Sequence, residues 1–265
     1  MADTPPDSDQ HAKPFVVKSR GAKTLHFSMA TIQSRMRLDD PFALDLDYTR
    51  TMMGFLLFVP APQHIGMIGL GGGSLAKFCH RHLPGAHIEV VEINPHVIAL
   101  RDEFCVPPDD HRFSVSQGDG ARYVRQADLA LDVLIIDGFD PSGLPEALGS
   151  QRFDDDCFDA LRPGGVLVMN LHLGDPRYDI LIDRLRRSFD DALFTVDDSD
   201  RSNSIVFATK GSAFAQYRPG MASPPMGLDA GPADELLRAY AQVVGALKRH
   251  RAPIPQATDL LHARH

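Results

Sequence analysis

Cysteine is scarce in this 265-residue chain: Cys79, Cys105 and Cys157 lie far apart and are odd in number. They offer neither a disulfide framework nor a metal-binding Cys-x-x-Cys spacing, and read as buried or partly buried free thiols in a reducing cytosol. The twelve histidines contain no His-x-x-x-His or His-Glu-x-x-His pair, so no metal site is expected. No apolar run approaches the roughly 20 residues that cross a bilayer. The longest, Met52 to Ala61, contains Gly54 and Pro60. Met1 to Gln10 is acidic, polar and Pro-containing, which argues against a signal peptide and predicts a disordered tail over residues 1–12. A formal net charge of −8 argues against a nucleic-acid partner, because phosphate binding needs a clustered basic surface. The expectation is a cytoplasmic protein without membrane attachment.

What the chain does have is ordered punctuation. Residues 13–47 carry short β-type runs, Phe15 to Val17, Thr24 to Phe27, Thr31 to Ser34 and Phe42 to Leu44, separated by turn signals at Gly21 and Asp39-Asp40-Pro41. They predict a small antiparallel β-unit whose exposed edges a homodimer could cover. Tyr48 to Phe58 reads as a helix ended by Pro60. Residues 48–210 then alternate strand and helix: strands at Ile65–Ile68, His87–Val91, Arg112–Ser116, Asp132–Ile136 and Val166–Met169, with helices at Leu75–His82, Pro95–Glu103, Ala121–Ala127, Phe153–Leu161 and Pro176–Phe189. Strands at Leu193–Val196 and Ser204–Ala208 complete the pattern. Such alternation predicts an α/β protein with a doubly wound, mostly parallel, Rossmann-like sheet that binds its ligand beyond the strand carboxyl ends. Residues 211–265 read as a Pro/Gly linker and one more helix, Asp234 to Arg249, with Leu236, Leu237, Tyr240, Val243, Val244 and Leu247 as its apolar residues.

The chemistry-bearing residues follow successive strands. The first strand runs into Gly69-Leu70-Gly71-Gly72-Gly73-Ser74, where glycine allows a tight turn and close ligand approach, and the next helix aims its free N–H groups at the site. Alone, such a turn occurs in many α/β proteins. Glu92 ends the second strand, where a carboxylate can accept both ribose hydroxyls of a nucleoside or simply be an exposed strand-end acid. Gly118-Asp119-Gly120 follows the third; Asp119 could receive an adenine amino proton or cap a turn. Together the three point to a nucleoside, and the missing phosphate-cradling lysine argues against a P-loop. Asp137-Gly138-Phe139-Asp140-Pro141 follows the fourth strand. One of its carboxylates can take a proton from an attacking amine while the other holds a cation, and turn capping is the alternative for either.

From Gln33 to about Leu171 these pieces resemble the polyamine aminopropyltransferases, the spermidine synthase family. The match runs through Ile32-Gln33, the glycine loop, Val91-Glu92-Ile93-Asn94, Gly118-Asp119-Gly120, Asp137-x-x-Asp140-Pro141 and the stretch from Phe153 to Gly165. The resemblance implies a class I methyltransferase-like sheet and a transferase of polyamine biosynthesis, acting on decarboxylated S-adenosylmethionine or S-adenosylmethionine and a small amine, without a metal. It implies a donor pocket of Gln33, Gly69, Gly71, Gly72, Gly73, Glu92, Ile93, Asp119, Gly120 and Asp137, with Gln33 and Glu92 on the nucleoside and Asp119 on the adenine. The catalytic residues would be Asp137, Asp140 and Tyr48, with Asp137 as the general base, Asp140 helping to bind the cationic chains and Tyr48 where the family lines its polyamine channel. The reaction would be displacement at the carbon next to a sulfonium, releasing methylthioadenosine.

The chain departs from the family pattern in three places. The family loop reads Gly-Gly-Gly-Asp-Gly-Gly, and its Asp, which holds the donor's ammonium, falls on Gly72. Tyr48-Thr49-Arg50 stands where the family has Tyr-His-Glu, and Arg50 would repel a polyamine if it faced the site. The segment from Leu46 to Tyr48 is shorter than the family's substrate-contacting loop. Two alternatives therefore stay open. One is a methyltransferase using S-adenosylmethionine itself, whose carboxylate an acid at position 72 would repel; the other is a non-catalytic nucleoside-thioether binding protein of the same fold.

Overall fold

A computed structural model describes residues 11–29, 32–126, 129–140, 142–218 and 230–251. Expectations placed on the tail before His11, on Thr31, Ala127 and Pro141, on linker residues 219–229 and on residues 252–265 lie outside the described residues. Strands β1 (Phe15–Lys18), β2 (Ala22–His26) and β3 (Ser34–Arg37) form a three-stranded antiparallel sheet. Helix α1 (Asp47–Met52) tightens into a 3-10 turn at Met53–Leu57. There follow β4 (His64–Ile68), α2 (Ser74–His82), β5 (His87–Glu92), α3 (Pro95–Ile98), β6 (Phe113–Gln117), α4 (Gly120–Tyr123) and β7 (Leu131–Ile136). The chain continues through α5 (Gln151–Ala160), β8 (Leu161–His172), α6 (Tyr178–Ser188), β9 (Leu193–Asp197), β10 (Asn203–Thr209), α7 (Ala213–Gln216) and α8 (Ala230–Arg251).

Strands β4 to β10 make one sheet in the order β6-β5-β4-β7-β8-β10-β9, parallel except where β10 runs against both β8 and β9. The chain winds outward from β4 through β5 to β6, then returns to lay β7 on the other side of β4. That reversal opens a crevice at the carboxyl ends of β4 and β7, where doubly wound sheets place their ligands. β7 is buried along its whole length, as a central parallel strand must be. Val133 and Ile135 pack on one face with Phe78, Phe113 and Phe207, while Leu134 and Ile136 pack on the other with Phe153 and Phe189. Each such side chain contributes about 1.5–3 kcal/mol on leaving water, so the strand that carries the site residues is firmly held.

Several expectations shift. The third strand of the small sheet is Ser34–Arg37 rather than Thr31–Ser34, with Ser34 and Met36 turned inward. Phe42 to Leu44 is no strand: the carboxylate and carbonyl of Asp40 accept from Phe42 N (3.2 Å) and Ala43 N (3.3 Å), drawing the backbone into a turn. The helix expected over Pro95–Glu103 closes after Ile98 and continues as turns to Cys105, whose φ is +57°. Cys79 and Cys157 are buried but Cys105 is exposed. On α8, Leu236, Val243 and Leu247 are buried, whereas Leu237 is 60% exposed. Glu235 of α8 accepts from Leu44 N at 2.8 Å and so ties this helix to the loop before α1. Among the described residues no helix is long and apolar enough to cross a membrane.

Candidate active site

Beyond the carboxyl ends of β4, β5 and β7 lies a cleft of about 1560 Å³. One end of it is built on the loop from β4 into α2. Gly69 sits at φ +94°, and a Cβ there would lie 2.3 Å from the carbonyl oxygen of Asp137. Only glycine lets the ends of β4 and β7 come this close. Gly69 and Gly71 line the cleft, but Gly72 and Gly73 do not. Gly73 is the left-handed N-cap of α2. Gly72 turns into the protein, where a Cβ would meet Ser34 Oγ at 2.6 Å and the Phe104 ring at 2.9 Å. A carboxylate side chain at this position would require Ser34 and the buried Phe104 ring to shift.

Glu92, at the end of β5, is buried in the cleft wall. Its Oε2 accepts from Leu70 N at 2.8 Å and its Oε1 from Asn94 N at 2.9 Å. Burial raises its pKa, and these backbone amides pull it back down. The amides of Gly71 and Ile93 act on the same carboxylate, which lines the cleft as an acceptor. Ile93 is 47% exposed beside it, and Gln33 faces the cleft from the residue before β3. Asp119 caps α4, with Oδ1 accepting from Ala121 N at 2.9 Å, and Gly120 packs beneath it against Ile68. Asp119 thus caps the turn and is also a lining residue of the cleft.

A second cluster in the cleft centres on Asp137, directly after β7. Tyr48 of α1 donates its hydroxyl to Asp137 Oδ2 at 3.1 Å, and Asn170 of β8 donates Nδ2 to Oδ1 at 3.0 Å. Burial lifts the Asp137 carboxyl above its ordinary value, and these two bonds oppose the lift. The Tyr48 hydroxyl is pushed well above its usual value, first by burial and then by the neighbouring carboxylate, so it remains a donor. Asp140 is exposed at the rim; its Oδ1 accepts from Ser142 N at 2.6 Å, and its backbone pairs with Gly143 in a tight turn. Arg50 does not face the cleft: it donates to the carbonyls of Leu44 and Asp45 and to the Asp47 carboxylate, beneath the loop.

Among the cleft residues not expected from the sequence are Asn170 and His172, both on β8. Asn170 is 2% exposed, and its Oδ1 has no hydrogen-bond partner among the described residues. A lone amide inside the apolar run Val166 to Leu171 was the available signal. The arrangement combines a floor that can accept two hydroxyls with a buried carboxylate that can take a proton.

Comparison with known proteins places this geometry. The model of the spermine/spermidine synthase domain matches residues 46–178, which include Tyr48, the glycine loop, Glu92, Asp119, Asp137 and Asn170. A polyamine aminopropyltransferase of Chromobacterium violaceum is 42% identical over 191 residues, 72% of this chain and 73% of that protein. Among solved structures, a probable spermidine synthase from Corynebacterium glutamicum superposes with a TM-score of 0.65 at 18% identity, covering 74% of this chain and 76% of that one. Human methyltransferase-like protein 13, in complex with SAH, superposes with a TM-score of 0.58 at 25% identity, covering 81% and 99%. The fold is therefore the one shared by spermidine synthases and this methyltransferase, and the chain belongs to the spermine/spermidine synthase family.

Proposed function

We propose that this protein is a polyamine aminopropyltransferase that takes its aminopropyl group from decarboxylated S-adenosylmethionine and gives it to a small amine. The observation that carries the reading is the Asp137 carboxylate, held by Tyr48 and Asn170 at 3.1 and 3.0 Å in the same cleft as the buried Glu92. The donor substrate supplies an electrophilic methylene carbon next to a sulfonium. Glu92 would receive the two ribose hydroxyls, Asp119 the adenine amino group, and Ile93 and Gln33 would flank the nucleoside. Asp137 would accept one proton from the acceptor's ammonium, leaving a neutral amine beside the methylene carbon. Tyr48 and Asn170 hold the carboxylate in one orientation, so the base is positioned before substrate arrives. The exposed Asp140 would attract the cationic chain to the rim.

Asp137→Asn tests this reading. It keeps the size and both hydrogen-bonded neighbours but removes the base, and general-base loss costs about 10²–10⁴ in rate. Methylthioadenosine formation should fall by that factor while the donor's Kd stays within a few-fold. Equal loss of binding and turnover would mean that Asp137 holds the donor instead.

A second reading, methyl transfer from S-adenosylmethionine, draws on Gly72: the cleft lacks the acid that would repel that cofactor's carboxylate. The superposition on a methyltransferase in complex with SAH favours the same alternative. Formation of S-adenosylhomocysteine rather than methylthioadenosine would decide for it.

A further inference from the structure

Asp137 must be freed of its proton after every turnover, yet its two direct partners cannot carry one away. The Asn170 amide is a donor with no acidic or basic function near neutral pH, and the Tyr48 hydroxyl is held firmly protonated. β8 brings a third side chain to the same face. His172 lies two residues beyond Asn170, so strand alternation turns both toward the cleft. Its ring lies flat on Phe139, with centroids 4.1 Å apart and planes 4° from parallel. Phe139 is itself two residues after Asp137. The stack fixes the plane of the imidazole beside the base and leaves its nitrogens at the ring edge. Among the described residues neither nitrogen has a hydrogen-bond partner.

The charged groups facing His172 are Asp137 from the end of β7, Asp175 from the β8–α6 connection and Asp198 from the β9–β10 hairpin. Asp175 is largely neutralised by Arg177, which it holds at 2.7 Å. Burial keeps the imidazole below its ordinary pKa, and the three carboxylates pull it back up. It is therefore neutral at pH 7 and free to accept.

We propose that His172 is the proton exit of the site, a relay residue that takes from Asp137, directly or across one water, the proton lost by the acceptor amine and returns it to solvent. The inference rests on the aminopropyl-transfer reading. One N–H bond of the acceptor's ammonium breaks and leaves its electron pair on nitrogen. The proton passes to the Asp137 carboxylate, then to an imidazole nitrogen, then to water at the mouth of the cleft. The nitrogen pair forms the new C–N bond as the C–S bond breaks and its pair goes to sulfur.

The test compares wild type, His172→Phe and His172→Gln in methylthioadenosine formation from decarboxylated S-adenosylmethionine and 1,4-diaminobutane. His172→Phe keeps an aromatic ring on Phe139 but has no nitrogen. Both variants should lose roughly 10–100-fold in kcat with little change in the donor's KM, and added imidazole should restore much of the loss. A His172→Phe enzyme with wild-type kcat and an unshifted pH profile would overturn the inference. So would a loss that imidazole does not restore, since that marks a packing role. If the wild type itself forms no methylthioadenosine, the aminopropyl-transfer reading fails first, a result distinct from either.

Discussion

Replacing Gly69 by alanine should damage stability and turnover together, because one contact serves both. The added Cβ would sit 2.3 Å from the Asp137 carbonyl oxygen, 2.8 Å from its carbonyl carbon and 3.0 Å from Gly138 Cα. All three are backbone atoms, so no rotamer relieves the clash. Reaching an ordinary C···O contact of about 3.3 Å requires the ends of β4 and β7 to part by roughly 1 Å. That movement strains the bond from Asp137 N to Ile68 O, now 2.9 Å. Alanine at φ +94° adds about 1–2 kcal/mol of backbone strain. Overpacking adds about 1–3 kcal/mol, and the weakened hydrogen bond about 1 kcal/mol. A destabilisation of about 3–6 kcal/mol follows, readable as a lower denaturant midpoint with an unchanged slope. Because Asp137 itself is displaced, kcat should fall about 100-fold in the fraction that stays folded. Gly85→Ala is the control: nothing lies within 4 Å of its added Cβ, and stability should stay within about 0.5 kcal/mol. If Gly69→Ala unfolds at the wild-type midpoint and turns over normally, the close approach of the two strands does not organise this site.

Two further substitutions test the donor and acceptor halves separately. Gly72→Asp, which restores the family residue, should destabilise the fold by about 1–3 kcal/mol through Ser34 and Phe104 rather than improve donor binding; a tighter Kd by calorimetry would contradict this packing. Asn170→Leu removes a hydrogen bond that lowers the Asp137 pKa. Asp137 works as a base only when ionised, so the acid limb of kcat/KM should move to higher pH, and a limb that stays in place or moves lower would refute the assignment.

Much of the sheet was legible because period and burial agree. The run Asp132 to Ile136 is apolar on both faces and became the fully buried β7, and the glycine turn lies between a strand and a helix as its residues suggest. The strand ends after β4, β5, β6 and β7 bring Gly69, Glu92, Asp119 and Asp137 to one cleft, since parallel strands deliver their carboxyl ends to the same side. Less was legible where side chains override local propensity. Asp40 turns Phe42 to Leu44 away from a strand through its own hydrogen bonds. The direction of Arg50 depends on the carbonyls of Leu44 and Asp45, a local fold that no periodicity reveals. Asn170 and His172 escaped because alternation marks which face a residue occupies, and not that the opposite wall holds Asp137. The glycine run had the reverse fault: Gly72 shares the composition of a binding loop but packs inward on Phe104.

The most direct test of the central claim is product analysis by mass spectrometry, with the purified protein offered 1,4-diaminobutane and either decarboxylated or ordinary S-adenosylmethionine. The account predicts methylthioadenosine and an aminopropylated amine from the decarboxylated donor, and no S-adenosylhomocysteine from the ordinary one. S-adenosylhomocysteine with a methylated acceptor, or no turnover of the decarboxylated donor at any pH, would contradict it.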